Sequence, residues 1–417
     1  MGSRIILFSI IFNLGLGPLM AEELPGADMP GLWRHLESHS AELEAAVLET
    51  SAAEQQAAAT GALPDPSVRI EWQDVDQPGG VTLDPSRVTA VKYSVLQTIP
   101  AWGKRDAQKQ TAVANAAWAS AQQRAIRAQL RARLTLTFAS YYRSFHAMRL
   151  NAELTDFALS ASKLARSRYE RGQGGQQEWV KAQLDEAALR AEGYALQAEH
   201  RTAQARLNAL LNRPGDASLA PPQQLPLLPP ANVLETGQLQ QRLHASNPQL
   251  AAQTALSASA QGEATLAGKN QLPDFVVAVS PVQRGNGIRS WDAMLEFTLP
   301  LQQSSHSAHR HEANEKVRAS QAREQALVQT LHAELGEHQA ALAASTERLQ
   351  LLREQILPLV EMAFKSALSA YQNGRLDYAT LWQARREVQR NKLDELDILS
   401  QQQSHLAEIE RLLGETL

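Results

Sequence analysis

Residues 272–300, LPDFVVAVSPVQRGNGIRSWDAMLEFTLP, are the stretch that decides the fold. Apolar side chains alternate with others in two segments of it, Phe275 to Val282 and Trp291 to Leu299. The gap between them, Arg284-Gly285-Asn286-Gly287, has the composition of a turn. Alternation with a period of two predicts strands whose two faces meet different surroundings, so this stretch predicts a β-hairpin.

An earlier part of the chain repeats this pattern about 200 residues before it. Two further alternating segments, Val68 to Val75 and Val88 to Ile99, are separated by the turn-like Asp76-Gln77-Pro78-Gly79-Gly80. Three landmarks recur in the same order: Leu63-Pro64-Asp65 and Leu272-Pro273-Asp274, Ile99-Pro100 and Leu299-Pro300, Tyr169-Glu170-Arg171-Gly172 and Tyr371-Gln372-Asn373-Gly374. The order of strand, strand, very long helix, turn and helix, written twice, predicts an internal duplication.

The helical patterns after the two hairpins are unusually long. They cover residues 101–170 and 303–372, and a helix of about 70 residues is about 105 Å long. Shorter helical patterns cover residues 30–62, 176–212, 236–270 and 376–414. The lengths of the first two shorter patterns, and of the last two, each add up to about the length of one long pattern. We therefore expect two shorter helices stacked end to end beside each long helix.

These patterns predict the domain organisation. A signal peptide occupies residues 1–21, the first repeat residues 22–230, and the second repeat residues 231–417. The first repeat holds the hairpin 67–99 and ends in a Pro-rich linker, and the second holds the hairpin 275–299. The signal peptide is predicted because Arg4 precedes a short apolar run and small residues end at Ala21. The alternative is an uncleaved membrane anchor.

Composition excludes several classes of protein. The chain has 417 residues and a formal charge of −4, without the basic surplus that nucleic-acid binding favours. It contains no cysteine, which excludes disulfides, thiolate metal sites, a cysteine nucleophile and a lipid attached to an N-terminal cysteine. No Rossmann or Walker pattern and no nucleophile with a matching base occur, so we expect neither an enzyme nor a cofactor.

The four predicted strands suit either a small soluble sheet packed on the helices or a membrane barrel. Their lengths lie near the 9–11 residues that cross a bilayer at a tilt, and the chain is predicted to be exported. Four strands cannot close a barrel, and open strand edges are not tolerated in lipid. A barrel would therefore be shared between subunits, with a lipid-facing side that carries Tyr93, Trp291, Leu295 and Phe297.

The sequence resembles the TolC-type outer-membrane efflux channel family over nearly its whole mature length. The resemblance lies in Gly61 to Pro66 before the first strand, Gln97 to Arg105 after the second, the two Tyr-x-x-Gly turns, and Asp377 to Arg385. It implies a mainly α fold with a small β part: a homotrimer with a 12-stranded transmembrane β-barrel, four strands per chain, continuing into a helical tunnel across the periplasm. It also implies outer-membrane lipid around the barrel, and as partners a periplasmic adaptor (membrane fusion protein) and an inner-membrane pump.

Within that family, the sequence is most similar to members serving heavy-metal exporters of the resistance-nodulation-division class. The similarity lies in Leu63-Pro64-Asp65-Pro66 and in Ile99-Pro100-Ala101-Trp102-Gly103-Lys104-Arg105. Many relatives carry an acylated N-terminal cysteine and this chain has none, so the resemblance implies anchoring by the barrel alone.

The glycine-containing turns are the first candidate sites. The resemblance implies that they form the periplasmic tip, where an adaptor docks, through Tyr169, Gly172, Gly174, Gly175, Tyr371 and Gly374. Turn geometry alone also explains the glycines. Asp377, Glu178, Arg171 and Arg375 are gate candidates, because an inward-facing carboxylate becomes a ring of three in a trimer and attracts cations or pairs with arginines. The alternative for each carboxylate is stabilisation of a helix N-terminus.

Two other motifs are weaker. His306, His309 and His311 are weak metal candidates, because spacings of three and two do not place all three on one helical face. A solvated polar junction explains them better. Trp102-Gly103-Lys104-Arg105 lacks the phosphate-loop pattern, and we expect its basic pair at a membrane interface.

The sequence therefore predicts a passive exit duct for metal cations or small toxic compounds. One alternative is the outer-membrane outlet of a type I protein-secretion system, which the same fold could serve. Another is a periplasmic coiled-coil interaction protein that forms no channel. An adaptor of that kind would need a lipoyl-like or barrel domain between two helical hairpins, and the chain has no such segment.

Overall fold

The computed structural model describes residues 24–77 and 80–417. Helices hold most of these residues and strands a small part, which confirms the prediction of a mainly α protein with a small β part. The predicted signal peptide lies outside the described residues. Among the residues described, no helix is both long enough and apolar enough to cross a membrane. The division into repeats at residue 230 stays a prediction.

The helices are numbered in chain order. They are α1 Met29–His39, α2 Ala41–Ala59, α3 Lys104–Glu170, α4 Gln176–Leu210, α5 Thr236–Ser246, α6 Pro248–Lys269, α7 Gln303–Leu351, α8 Leu357–Gln372 and α9 Tyr378–Leu413. With 67 residues, α3 is about 100 Å long. The first very long helix therefore has nearly the length that the sequence predicts.

Two predicted helices are each divided in the structure. Within residues 30–62, Ser40 is extended, and its hydroxyl accepts a hydrogen bond from the Leu43 amide at 3.3 Å, so α2 starts anew there. Within residues 236–270, the Asn247 side chain caps α6 by accepting from the Leu250 amide at 2.6 Å. Pro248 follows at the first position of α6, where its missing amide hydrogen costs nothing.

The second very long helix is interrupted as well. A π-helical turn, Leu352–Ile356, separates α7 from α8, and Pro358 follows near the start of α8. Proline cannot donate a backbone hydrogen bond to the preceding turn, and π turns inside helices accommodate such a break. The helical pattern over residues 303–372 is thus interrupted next to Pro358, one of the two residues in it, with Gly336, that disfavour a helix, while Gly336 lies within α7.

Each long helix packs side by side with shorter helices along its length. Helix α3 contacts α2 toward the strands and α4 toward its other end, and α7 contacts α6 and α9 in the corresponding way. These contacts agree with the expectation that each long helix is accompanied by two shorter ones. Helix α3 also packs against α6 and α9, which joins the two halves of the chain into one layered body.

Strands form a sheet at one end of the helices. They are β1 Ser67–Gln73, β2 Asp76–Gln77, β3 Gly80–Val81, β4 Ala90–Ile99, β5 Phe275–Arg284 and β6 Gly287–Phe297. The main sheet is antiparallel in the order β1-β4-β5-β6, so β4 of the first half pairs with β5 of the second. Strands β1 and β6 are its edges.

The hairpin connections differ from the predicted ones. The predicted turn of residues 76–80 instead carries the small β2-β3 hairpin, and β4 begins only at Ala90 rather than at Val88. Strand β6 begins at Gly287, four residues before the predicted Trp291, because the turn needs only Gly285 and Asn286. Gly285 has a φ of +61°, the left-handed conformation that tight hairpin turns require.

Candidate functional site

One surface of the main sheet is apolar and exposed. The register places on it Val68, Ile70, Trp72, Tyr93, Val95, Val277, Val279, Trp291, Leu295 and Phe297, and we call this set the apolar face. Trp291 is 68% exposed and Leu295 64%. Such a contiguous exposed apolar surface marks contact with another protein or with a membrane. All four residues predicted to face lipid lie on it, and lipid contact itself stays a prediction.

The opposite surface of the sheet, the polar face, satisfies its own polar groups. Lys92 on β4 reaches across β5 to Asp292 on β6, with Nζ 3.1 Å from Oδ2. Ser280 Oγ donates a hydrogen bond to Ser94 Oγ at 2.8 Å, and both serines are buried. The sheet therefore separates an apolar side from a polar side, as alternating sequence requires.

The junction between strands and helices uses the residues of the sequence landmarks. Lys104 Nζ lies 2.9 Å from Asp274 Oδ1, which also accepts a hydrogen bond from the Ala101 amide at 2.7 Å. Arg105 Nε donates to the Gly61 carbonyl at 2.7 Å. The basic pair, expected at a membrane interface, thus has a structural role. Lys104 ties the first long helix to the second half, and Arg105 ties it to the segment before β1.

At the far end of the helices, two turns have the same backbone geometry. Gly172 has a φ of +69° and Gly374 a φ of +72°. In the first turn the Gly172 amide donates to the Tyr169 carbonyl at 2.9 Å, and in the second the Gly374 amide donates to the Tyr371 carbonyl at 3.0 Å. Glycine is favoured there because a left-handed residue ends each helix. Turn geometry thus accounts for these two glycines.

The other two glycines of the first turn have different surroundings. Gly175 is extended and precedes the first residue of α4. Gly174 lies so close to Arg168 that an added Cβ would be 3.3 Å from Arg168 Cβ. The first turn is therefore close-packed at Gly174 without needing a left-handed residue there.

Arg168, near the end of α3, joins the two turns. Its Nη1 donates to the Tyr371 carbonyl at 2.9 Å, and its guanidinium lies 4.8 Å from the centre of the Tyr371 ring. Tyr371 is fully buried, whereas its sequence counterpart Tyr169 is 40% exposed and stacks on Trp179. The two tyrosine landmarks therefore occupy different environments, although their turns match.

A buried group of side chains, the tip cluster, lies behind the turns. It consists of Leu154, Ala158, Ala161, Ala165, Ala182, Leu189, Tyr371, Tyr378, Leu381 and Trp382. Its members come from α3, α4, α8 and α9, so it packs the helical hairpin of one half against that of the other. The small alanines allow the close helix approach that the alanine-rich composition favours.

Tyr378 connects the tip cluster to a buried carboxylate. Its hydroxyl lies 3.4 Å from Asp185 Oδ2, and Lys181 Nζ lies 3.1 Å from Asp185 Oδ1. Burial, and next the negative charge of Asp185, raise the pKa of Tyr378 well above its usual value. The hydroxyl therefore stays protonated and able to donate to Asp185.

The gate candidate Asp377 caps a helix in this chain. Its Oδ1 accepts a hydrogen bond from the Thr380 amide at 3.0 Å, at the N-terminus of α9. Hydrogen bonds from the Thr380 side chain and amide lower the pKa of this exposed carboxyl. The capping role matches the alternative considered from the sequence.

Glu178 differs from Asp377 although both follow a turn. Its Oε2 is buried and has no hydrogen-bond partner among the described residues. Burial, and next the charge of Glu178, raise the pKa of Tyr371. Arg171 and Arg375 are exposed, and within the described ranges neither forms an ion pair with Glu178 or Asp377. Pairing of these carboxylates with arginines in a trimer stays a prediction.

Sequence reasoning missed several residues of this site. Arg168 and Asp185 were not singled out, and Tyr378 and Trp382 entered only as part of the segment Asp377 to Arg385, although all four connect the two halves at the tip. The spacing of Tyr378 and Trp382, one helical turn apart directly after a helix start, was the available signal. Arg168 gave none, because its partner is a backbone carbonyl in the other half of the chain.

The histidine cluster does not assemble a metal site. His306, His309 and His311 lie in the first part of α7, where His309 Nδ1 is 3.5 Å from Glu312 Oε2. Glu312 also binds Lys316, with its Oε1 2.8 Å from Nζ. In the described part of the chain, no group of three or more His, Asp or Glu side chains is arranged to hold a metal ion.

Residues 239–415 match the family model of the outer membrane efflux proteins. The solved outer-membrane channel OprN matches with 20% identity and a TM-score of 0.78, over 93% of this chain and 89% of that one. The outer membrane protein VceC from Vibrio cholerae has 18% identity and a TM-score of 0.78, over 93% of this chain and 96% of its own.

A third structure extends this likeness. CusC, which forms a transmembrane channel, matches with 14% identity and a TM-score of 0.77, over 93% of this chain and 92% of that one. Comparison with curated protein sequences gives no match. The chain therefore has the fold of these outer-membrane channels over nearly its whole length, and its second half carries the sequence pattern of the outer membrane efflux proteins.

Proposed function

We propose that this protein is the outer-membrane exit duct of a tripartite efflux system, passively conducting substrate from the periplasm to the exterior. The apolar face of the sheet carries the proposal, because its large side chains stay exposed among the residues that the structure describes. Lipid would cover it, while the polar face with Lys92 and Asp292 would line water. This division matches the alternation expected of a transmembrane strand.

Three copies would close the barrel. Strands β1 and β6 are edges in one chain, and open edges are not tolerated in lipid. In an antiparallel sheet of four strands, the two edge strands run in opposite directions, so β6 of one copy can pair antiparallel with β1 of the next. Repeating this contact gives the proposed 12-stranded barrel, below which the long helices would continue as a periplasmic tunnel.

The far end of the helices would be the periplasmic tip. We propose that an adaptor docks at the turns of Tyr169, Gly172, Gly174, Gly175, Tyr371 and Gly374, and that an inner-membrane pump of the resistance-nodulation-division type drives transport. Metal cations or small toxic compounds are the proposed substrates. The substrate proposal rests on the resemblance of the Leu63-Pro64-Asp65-Pro66 and Ile99 to Arg105 sequences to heavy-metal members.

Cross-linking tests the shared barrel directly. Since the chain has no cysteine, introduced cysteines report only on chosen positions. We expect oxidation of Ile70→Cys on β1, combined in turn with Trp291→Cys, Ala293→Cys or Leu295→Cys on β6, to give covalent dimers and trimers in at least one combination. Ile70→Cys alone is the control. A protein that is monomeric in detergent and soluble without it would refute the proposal.

Asp377 can be tested as a gate separately from its capping role. Asparagine also caps helices, so Asp377→Asn should keep the start of α9 while removing the charge, whereas Asp377→Ala removes both. If a ring of Asp377 attracts cations, Asp377→Asn should lower the cation preference of the channel in planar bilayers. Hydrogen exchange of the amides of residues 379–381 should rise in Asp377→Ala only.

The pH dependence of the cap follows from the same contact. Because the pKa of Asp377 is lowered in the folded protein, its contribution to stability is present above the unfolded pKa and is lost as pH falls through the folded pKa. After correction for the intrinsic pH dependence of amide exchange, the protection of the first turn of α9 should therefore fall at acidic pH in the wild-type protein and change less in Asp377→Asn. Equal pH dependence in both proteins would contradict the capping role.

A further inference from the structure

Two pairs of histidines connect α7 to neighbouring helices. His332 Nε2 on α7 lies 2.9 Å from His244 Nε2 on α5. Six residues farther along α7, His338 Nδ1 lies 3.3 Å from His405 Nδ1 on α9. In both pairs, the facing ring nitrogens come from helices distant in sequence, so the fold and not local spacing creates them.

The nitrogen separations match those of two imidazoles on one metal ion. Zinc binds histidine nitrogen at about 2.0–2.1 Å, so two ligands at the tetrahedral angle are about 3.3–3.4 Å apart. Two ligands at a right angle, as in square-planar or octahedral coordination, are about 2.8–3.0 Å apart. His338 and His405 have the first separation, and His244 and His332 have the second.

We propose that each pair binds one divalent transition-metal cation such as Zn²⁺, Ni²⁺ or Cu²⁺, the rings turning from their hydrogen-bonded arrangement so that the lone pairs of the two facing nitrogens converge on the metal. Imidazole nitrogen is a preferred ligand of all three ions. Binding would join α5 and α9 to α7 through metal bonds. Metal binding at these pairs is separate from the proposed function as an exit duct and does not require the protein to be inserted in a membrane.

The same separations allow a hydrogen bond between neutral imidazoles in the metal-free protein, one ring donating and the other accepting. When a metal binds, the donor ring moves its proton to its other nitrogen, and both facing nitrogens then offer lone pairs. Burial, and next the neighbouring His338, lower the pKa of His405. A neutral ring is the form that binds metal.

The surroundings set the strength of these sites. Glu337, next to His338 in sequence, lies near enough to His405 to act on its charge. Glu334 is held by Arg411, with Oε2 3.3 Å from Nη2. Since no group of three or more His, Asp or Glu ligands exists among residues 24–77 and 80–417, each pair supplies two ligands and water completes the coordination. Such open sites exchange metal more readily than closed four-ligand sites.

Calorimetric titration tests the proposal. The full chain, purified without a histidine tag and treated with a chelator, would be titrated with ZnCl₂ and separately with NiCl₂. We expect two binding events per chain for the wild type, and the loss of one event in His338→Gln/His405→Gln and of the other in His244→Gln/His332→Gln. The quadruple variant should lose both.

Three measurements make the outcome decisive. Helix content and thermal unfolding without metal should be unchanged in the variants, since glutamine fits these partly exposed positions. Any variant that unfolds would be replaced by single His338→Asn and His332→Asn variants. The control His306→Gln/His309→Gln/His311→Gln should keep both binding events. The proposal would be overturned if the quadruple variant still bound two metal ions, or if the control variant without His306, His309 and His311 lost both binding events. If only one double variant lost a binding event, the site at the other histidine pair would be overturned.

Discussion

Replacing Val279 with arginine is expected to abolish stable membrane insertion. Val279 lies near the middle of β5, on the apolar face, and is 55% exposed in the single chain. In an ordinary soluble sheet, a charged side chain at such an exposed position would change the stability of the protein very little. If the face meets lipid, an arginine near the bilayer centre costs about 2–4 kcal/mol per copy, three times in a trimer.

Heat-resistant oligomers on gels, and the recovery of protein in the outer-membrane fraction, would measure the effect. Two controls separate charge from packing. Val279→Leu keeps an apolar side chain at the same place, and Glu296→Arg adds the same cation on the polar face of β6. Both should behave as the wild type. Normal assembly of Val279→Arg would show that the apolar face does not meet lipid.

Truncation of Tyr378 is expected to loosen the tip more than any exposed substitution there. Tyr378 is fully buried, packs edge to face with Tyr371 at 6.4 Å between ring centres, and stacks on Trp382 at 6.1 Å. Removing a large buried aromatic side chain costs about 3–5 kcal/mol, because the cavity collapses only in part. Tyr378→Ala should therefore accelerate hydrogen exchange in the last turns of α3 and the first turns of α9.

A conservative variant separates packing from the hydroxyl contact. Tyr378→Phe keeps the ring, and Asp185 keeps Lys181 as a partner, so we expect a loss below about 1.5 kcal/mol. Tyr194→Ala is the matched control, because Tyr194 is 75% exposed on α4. Amides of the sheet should be unaffected in all three variants. Equal exchange in Tyr378→Ala and Tyr194→Ala would contradict the proposed importance of the tip cluster.

The repeating elements of this fold could be predicted from local sequence. The alternation in β5 and β6 and the length of α3 require only neighbouring residues, because side-chain direction has a fixed period in strands and helices. Helix breaks were predicted less well. Ser40 and Asn247 each cap the start of a new helix by accepting a hydrogen bond from the backbone amide three residues on, and the periodicity of apolar residues does not report such a contact.

The candidate site was predicted in part. The glycine turns were located by sequence, and their left-handed residues agree with turn geometry. The contacts between the turns were not predicted, because Arg168 meets a residue of the other half about 200 positions away. The same holds for the facing histidines: sequence drew attention to the local cluster near His306, while the pairs across helices had no sequence signal.

The sequence by itself determined which residues alternate, where the turns at Gly172 and Gly374 lie, and how long α3 is, because these properties depend on near neighbours. Only the tertiary structure decided that β4 pairs with β5, that Tyr371 is buried while Tyr169 is exposed, and that Asp274 holds Lys104. The physical reason is that a buried contact needs two surfaces brought together by packing. The residues of the second surface are distant in sequence from those of the first, so local sequence does not identify them.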